Sequence, residues 1–197
     1  MADESVQGEN SEVEEETSEK NPEEDSKEDV GKDILDFLEA KFSGSTFDAE
    51  AFSDFEDELS ITIKPDSIEE VALLLRDDEV FKFTMLVDLT ATHYPDDDLP
   101  LHLIYQLYSI ERNRRVRLKV KLQEEQSIPT LSNLWSSANW MEREVFDLFG
   151  IDFSGHPDLR RILLPDDWGS HPMLKSYPIE GKGERVYEKP QRKEIGE

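Results

Sequence analysis

Residues 114–122, RRVRLKVKL, alternate with a period of two. Val116, Leu118, Val120 and Leu122 take every second place, and Arg117, Lys119 and Lys121 stand between them. Successive side chains of a strand point to opposite faces, so one face here is aliphatic and the other cationic. The preceding run, LHLIYQLYSI (101–110), is apolar on nearly both sides, as a central strand is, and ERNR (111–114) turns the chain between the two. A hairpin of this kind has to cover its aliphatic face with a second layer.

The covering elements are visible upstream. In KDILDFLEAKF (32–42), Ile34, Leu35, Leu38 and Phe42 recur at helical spacing. LSITIKP (59–65) alternates Ile61 and Ile63 with Thr62 and stops at Pro65, as a strand does. Ser67 and Glu70 have capping-box spacing ahead of an apolar stripe, which predicts a helix over 67–77. FKFTMLVDLT (81–90) predicts a strand with Phe81, Phe83, Met85, Val87 and Leu89 on one face. Pro129-Thr130 opens one or two helices that end at Gly150, a suitable C-terminal glycine. The order α-β-α-β-β-β-α predicts a two-layer α+β domain, with helices on a mixed or antiparallel sheet. No internal repeat is present.

Charge divides the chain. Of 197 residues with a formal net charge of −25, residues 1–30 hold 13 Asp/Glu and two Lys. Such a segment cannot bury enough apolar surface to offset chain entropy, so 1–30 is expected to be a disordered acidic head. The domain is expected over 31–150. Beyond it lie five of the ten prolines and five of the nine glycines, with no lasting periodicity, so 151–197 reads as an extended tail. Ile151, Phe153, Ile162, Leu163, Leu164 and Trp168 require that tail to lie on something. With no cysteine, disulfides, thiolate zinc sites and cysteine-held clusters are excluded for this chain. The longest aliphatic run, residues 71–75, is far short of a span, and an acidic N-terminus is unlike a transit peptide. The expectation from composition is a soluble cytoplasmic protein.

The charged stretch WMEREVFDLFGIDFSGHPDLRRILLP (140–165) holds the candidate functional residues. On a wheel, Met141, Val145, Leu148 and Phe149 share one face, and Arg143 and Asp147 face the other with Glu144 beside them. Spacing alone makes that a solvated i, i+4 pair. Glu142 falls at the edge of the apolar face, where a lone carboxylate is costly, and Arg160 or Arg161 is its expected partner. His156, Asp158, Asp166, Asp167 and His171 are possible metal donors, but their spacing fits no metal motif with a mechanism, and His-Pro recurs as a turn pair at 156–157 and 171–172. Gly181-Lys182-Gly183 lacks the strand–helix setting of a phosphate loop, and no serine has a nucleophile signature. The cations of 112–121 fit an exposed or edge strand; protein docking is the second reading, and nucleic acid is disfavoured by the acidity of the chain.

ANWMEREVFDLFGIDFSGHPDLRRILLPDDWGSHP resembles the signature of the C subunit of the proton-pumping NADH–quinone oxidoreductase, the respiratory complex I family. LVDLTATHYP, IYQLYSIERNRRVRLKVKL and IPTLSNLW extend the resemblance over roughly residues 60–178. It implies an α+β domain whose C-terminal extension docks on neighbouring subunits near the quinone-reducing end. It also implies that Glu142, Arg143, Glu144, Asp147, Gly150, His156, Pro157, Asp158, Arg160 and Arg161 are assembly residues, with no catalytic residue, metal or cofactor on this chain. Flavin, iron–sulfur clusters and quinone are then expected in partner subunits. The expected location is peripheral, on the cytoplasmic side of a bacterial inner membrane. The chain departs from the family at His93, often Asp, and at Met173-Leu174-Lys175-Ser176, often Leu-Arg-Lys-Asp. Related subunits serve ferredoxin-linked and hydrogenase complexes. A free-standing acidic binding module is the reading from another class.

Overall fold

The hairpin forms as its alternation requires. In the computed structural model, which describes residues 33–42, 47–48 and 59–183, strand β4 (Leu101–Ser109) pairs antiparallel with β5 (Arg114–Leu122) along its whole length. Asn113 closes the turn at φ 51, a left-handed conformation that Asn tolerates. Val116, Leu118, Val120 and Leu122 are buried. The head, 1–30, and the last residues of the tail lie outside the described residues.

The sheet is mixed. Strands β1 (Phe47–Asp48), β2 (Leu59–Ile63) and β3 (Met85–His93) join the hairpin in the order β1-β2-β5-β4-β3. Strand β2 runs parallel to β5, with Ile61 opposite Leu118. The basic strand is therefore interior, hydrogen-bonded on both sides, and its cations do not guard a sheet edge. The edge-strand reading fails because β2 reaches β5 by a crossover from far upstream.

Helix α1 (33–41) and helix α2 (Ile68–Asp77) cover the aliphatic face. Ile34, Leu38, Val71 and Leu75 are buried in one core with Ile61, Leu103 and Leu118. Each such side chain removed from water contributes about 1.5–3 kcal/mol. The capping box does not form. Residues Pro65–Ser67 make a 3-10 turn that leaves Ser67 with helical angles and no side-chain cap bond.

Strand β3 also departs from expectation. Phe81 and Phe83 are buried but precede the strand, and a register shift between Leu86 and Asp88 changes its phase. Leu86, Leu89, Ala91 and His93 then face inward, leaving Met85 and Val87 exposed. Pro129 opens no helix either. Ile128–Pro129 form a short strand β6, parallel to β7 (Phe153–Ser154), and helix α3 begins only at Ser136 and ends at Phe149. Ile151 and Phe153, just past Gly150, enter the common core.

Candidate functional site

Helix α3 keeps only the stripe of Ser137, Trp140 and Glu144 exposed beyond its first residue, because two other stretches of chain close over the rest. Its apolar face meets strand β3 and the core. The opposite face, expected in solvent, is covered by the stretch after β7. Asp147 is fully buried and Arg143 nearly so, and only Glu144 of the charged motif stays exposed. The solvated-pair expectation is thus overturned: residues 160–174 come from too far along the chain for helical spacing to reveal them.

Asp147 is the fastener for that stretch. One carboxylate oxygen, Oδ2, accepts the backbone N–H groups of Ile162, Leu163 and Leu164 at 3.0, 2.7 and 2.8 Å. The other accepts Nη1 of Arg161 at 2.7 Å. Burial pushes this carboxyl up, but the bonds from Leu164, Arg161, Ile162 and Leu163 outweigh it and hold the group below its ordinary value. Arg143 works in the reverse sense. Its Nε and Nη2 donate to the carbonyls of Arg160 and Arg161, both at 3.1 Å, and its guanidinium lies over the Trp140 ring.

The same stretch seals the end of the helix. The last carbonyls of a helix lack intrahelical partners. Here Phe146 accepts from Gly150 N, Asp147 from His171 Nδ1 and from Arg161, and Leu148 from Met173 N. Gly150 is required twice over. Its φ is 78°, and a Cβ there would sit 2.7 Å from Cδ2 of His171.

Glu142 faces the other way and has no arginine. Its Oε1 accepts the N–H of Leu131 at 2.7 Å and its Oε2 the hydroxyl of Thr130 at 2.5 Å. The expected pairing with Arg160 or Arg161 does not occur: Arg160 meets Asp158 at the surface, and Arg161 meets Asp147. Burial raises the Glu142 carboxyl to about 7, against the lowering effect of those two hydrogen bonds. His156 approaches to 3.9 Å. Its Nε2 bonds the Asn139 carbonyl and its Nδ1 accepts Asp158 N–H, which fixes the tautomer with its proton on Nε2. Pro157 and Asp158 are exposed.

The two family departures meet in space. Lys175 N donates to Nδ1 of buried His93 at 2.8 Å, so residue 93 holds the segment 173–176. The proposed metal donors are not gathered: among the described residues no group of three His, Asp or Glu is placed to hold an ion. Thr130, Leu131, His171 and Met173 were not singled out by sequence for these contacts. The cost of an unpartnered Glu142 was readable, but nothing periodic points from it to residue 130.

A mixed sheet covered by helices, and a helix clasped by the following segment, define a two-layer α+β domain. A solved structure described as Nqo5, trypsin-resistant fragment 1–134, is 31% identical, with a TM-score of 0.51 over 65% of this chain and 98% of that one. A chain of an archaeal respiratory membrane complex, the membrane-bound sulfane sulfur reductase, shares the fold at a TM-score of 0.63 and 21% identity. The chain belongs to the family of the respiratory-chain NADH dehydrogenase 30 kDa subunit, which its residues 61–183 match. The NADH-quinone oxidoreductase C subunit of Geobacter metallireducens is 41% identical over 76% of this chain and 91% of its own length. Its counterpart from Wolbachia sp. subsp. Brugia malayi is 47% identical over 62% of this chain and 65% of its own.

Proposed function

We propose that this chain is a non-catalytic assembly subunit of a proton-translocating NADH–quinone oxidoreductase, docked beside the subunits that carry iron–sulfur clusters and reduce quinone. One observation carries the reading. Three of the four charged groups in the helix motif bond to the chain's own backbone or to Thr130, so they fasten structure and do not face a substrate. What they fasten presents apolar surface: Leu163 and Met173 are 60% and 50% exposed, and Trp140 beside Arg143 is 61% exposed. Such residues rimmed by charge suit contact with partner subunits. On this reading flavin, clusters and quinone sit in those partners, and this chain binds none of them. Among the described residues no helix is long and apolar enough to cross a membrane. Attachment at the cytoplasmic side of a bacterial inner membrane is then through partners.

The test is affinity purification of the tagged chain from gently solubilised membranes of its own source, followed by donor-to-quinone assays. Recovery with cluster-bearing and membrane subunits plus NADH oxidation is the expected result. The same partners without NADH oxidation would replace the donor with ferredoxin or another. Recovery of the chain alone would overturn the assignment.

A further inference from the structure

Two features of the chain have no part in the clasped helix: the cationic face of β5 and the acidic head. On the face of the sheet turned away from α1 and α2, Arg115 is exposed and Arg117, Lys119 and Lys121 are part-exposed. They follow one another at every second residue, so four cations span about 20 Å of strand. The strand residues paired with them are uncharged, and the nearest carboxylate on that side, Asp97, lies 3.3 Å from His102. Arg117 lies between Ser60 and Gln106, Lys119 between Thr62 and Ile104, and Lys121 opposite His102. Among the described residues, neither Lys119 nor Lys121 makes an ion pair with a carboxylate. No Asp or Glu occurs from 112 to 123. His102 is held below its ordinary value first by burial and then by Lys121, with Asp97 and the Leu99 backbone opposing and Lys119 adding to the lowering.

An outward sheet face normally mixes both signs, because like charges on adjacent positions repel. A single-sign column is unexpected on a chain of net −25. The interior position of β5 removes edge protection as its explanation. The opposite charge is concentrated in one place. Residues 1–30 carry 13 acidic side chains and two lysines, a net of −11. The composition predicts a coil, and a coil of 30 residues has a root-mean-square reach of about 30 Å, comparable with the width of a five-stranded sheet. A segment on the same chain acts at an effective concentration on the order of millimolar.

We propose that the acidic segment 1–30 docks on the cationic face formed by Arg115, Arg117, Lys119 and Lys121 of its own chain. The contact is multivalent and electrostatic. Nothing in this proposal depends on the donor, the quinone or the partner subunits.

The experiment uses the full-length chain, with a zero-length carbodiimide cross-linker at low salt and peptide mapping by mass spectrometry. An equal mixture of isotope-labelled and unlabelled chain separates contacts within a molecule from contacts between copies. The expected products join Lys119 or Lys121 to Asp or Glu between Asp3 and Asp29 within one molecule. Their yield should fall at least fivefold at 0.5 M salt, where screening is strong (~4 Å Debye length). Deleting 1–30 should raise acylation of Lys119 and Lys121 by an amine reagent about threefold, with exposed Lys175 as the internal reference. Products confined to the carboxylates of 50–58, products only between copies, or unchanged lysine reactivity after deletion would each overturn the proposal. The cross-link between Lys82 and Glu111, whose charged groups lie 2.8 Å apart in the fold, should persist after the deletion and so controls for loss of structure.

Discussion

Replacing Glu142 by glutamine should stabilise the protein at alkaline pH, although it removes a charge from a motif that spacing assigns to ion pairing. The carboxyl lies near 7 in the folded chain against an ordinary 4.5. Between those values the unfolded chain has released the proton and the folded chain still holds it. Stability therefore falls as pH rises from about 4.5 to 7 and levels off above, by about 1.4 kcal/mol per unit. The full cost is about 3 kcal/mol at pH 8 and under about 1 kcal/mol at pH 5. Glutamine keeps both contacts: its oxygen accepts from Leu131 N, and its amide donates to Thr130, whose own hydrogen can turn to Ser132, 2.8 Å away. The assay is thermal and urea unfolding of the full-length chain and Glu142→Gln between pH 5 and 8. The variant should gain on the parent by about 2–3 kcal/mol across that range, a shift in relative Tm of roughly 10 °C. A variant weaker than the parent by about 3–5 kcal/mol at every pH would refute the reasoning and restore a buried cation partner for Glu142.

Other substitutions should behave differently. Asp147→Asn turns an amide toward Arg161 and leaves that guanidinium without its carboxylate, so about 3 kcal/mol or more is lost at pH 7, measured by urea unfolding. Because the Asp147 carboxyl is depressed, the parent's lead should disappear only as acid protonates it, the opposite pH trend to Glu142→Gln. Limited proteolysis of Asp147→Asn should cut between residues 155 and 175 faster than in the parent; equal rates would show that the clasp is not what holds this segment. Gly150→Ala meets both a positive φ and the His171 ring, and should cost more than about 1 kcal/mol in thermal unfolding. His171→Ala combined with Gly150→Ala should recover part of that loss, since the clash is with the ring.

The legible parts of the sequence are those where one period runs unbroken. Strand β5 follows strict alternation, and α1 and α2 follow their apolar stripes, so their places and inward faces were readable; β4, apolar on nearly both sides, was readable as a strand but not by its inward face. Strand β3 was only half readable, because the irregularity after Leu86 shifts the inward set by one residue. The partner of β5 on its far side was hidden, since a parallel neighbour arrives by a long crossover that leaves no turn signal in β5 itself. At the site, composition showed that the apolar residues after Gly150 needed a surface, but not that the surface was the polar side of α3. Wheel geometry assumes that one side of a helix meets solvent. Residues 161–173 narrow that side to the stripe of Trp140 and Glu144, and so remove the distinction between Glu142 and Asp147 as buried and exposed carboxylates.

The sealing of α3 by His171 and Met173 also sets an order for synthesis. The sheet is complete once Leu122 has emerged, but the helix end waits for residues about two dozen positions beyond its own last turn. At roughly 5–20 residues per second, that interval is about 1–5 s. During it the nascent chain carries a finished sheet, an open helix end and a bare Asp147. Chaperones or partner chains that recognise the unfinished protein therefore have a defined window in which to act.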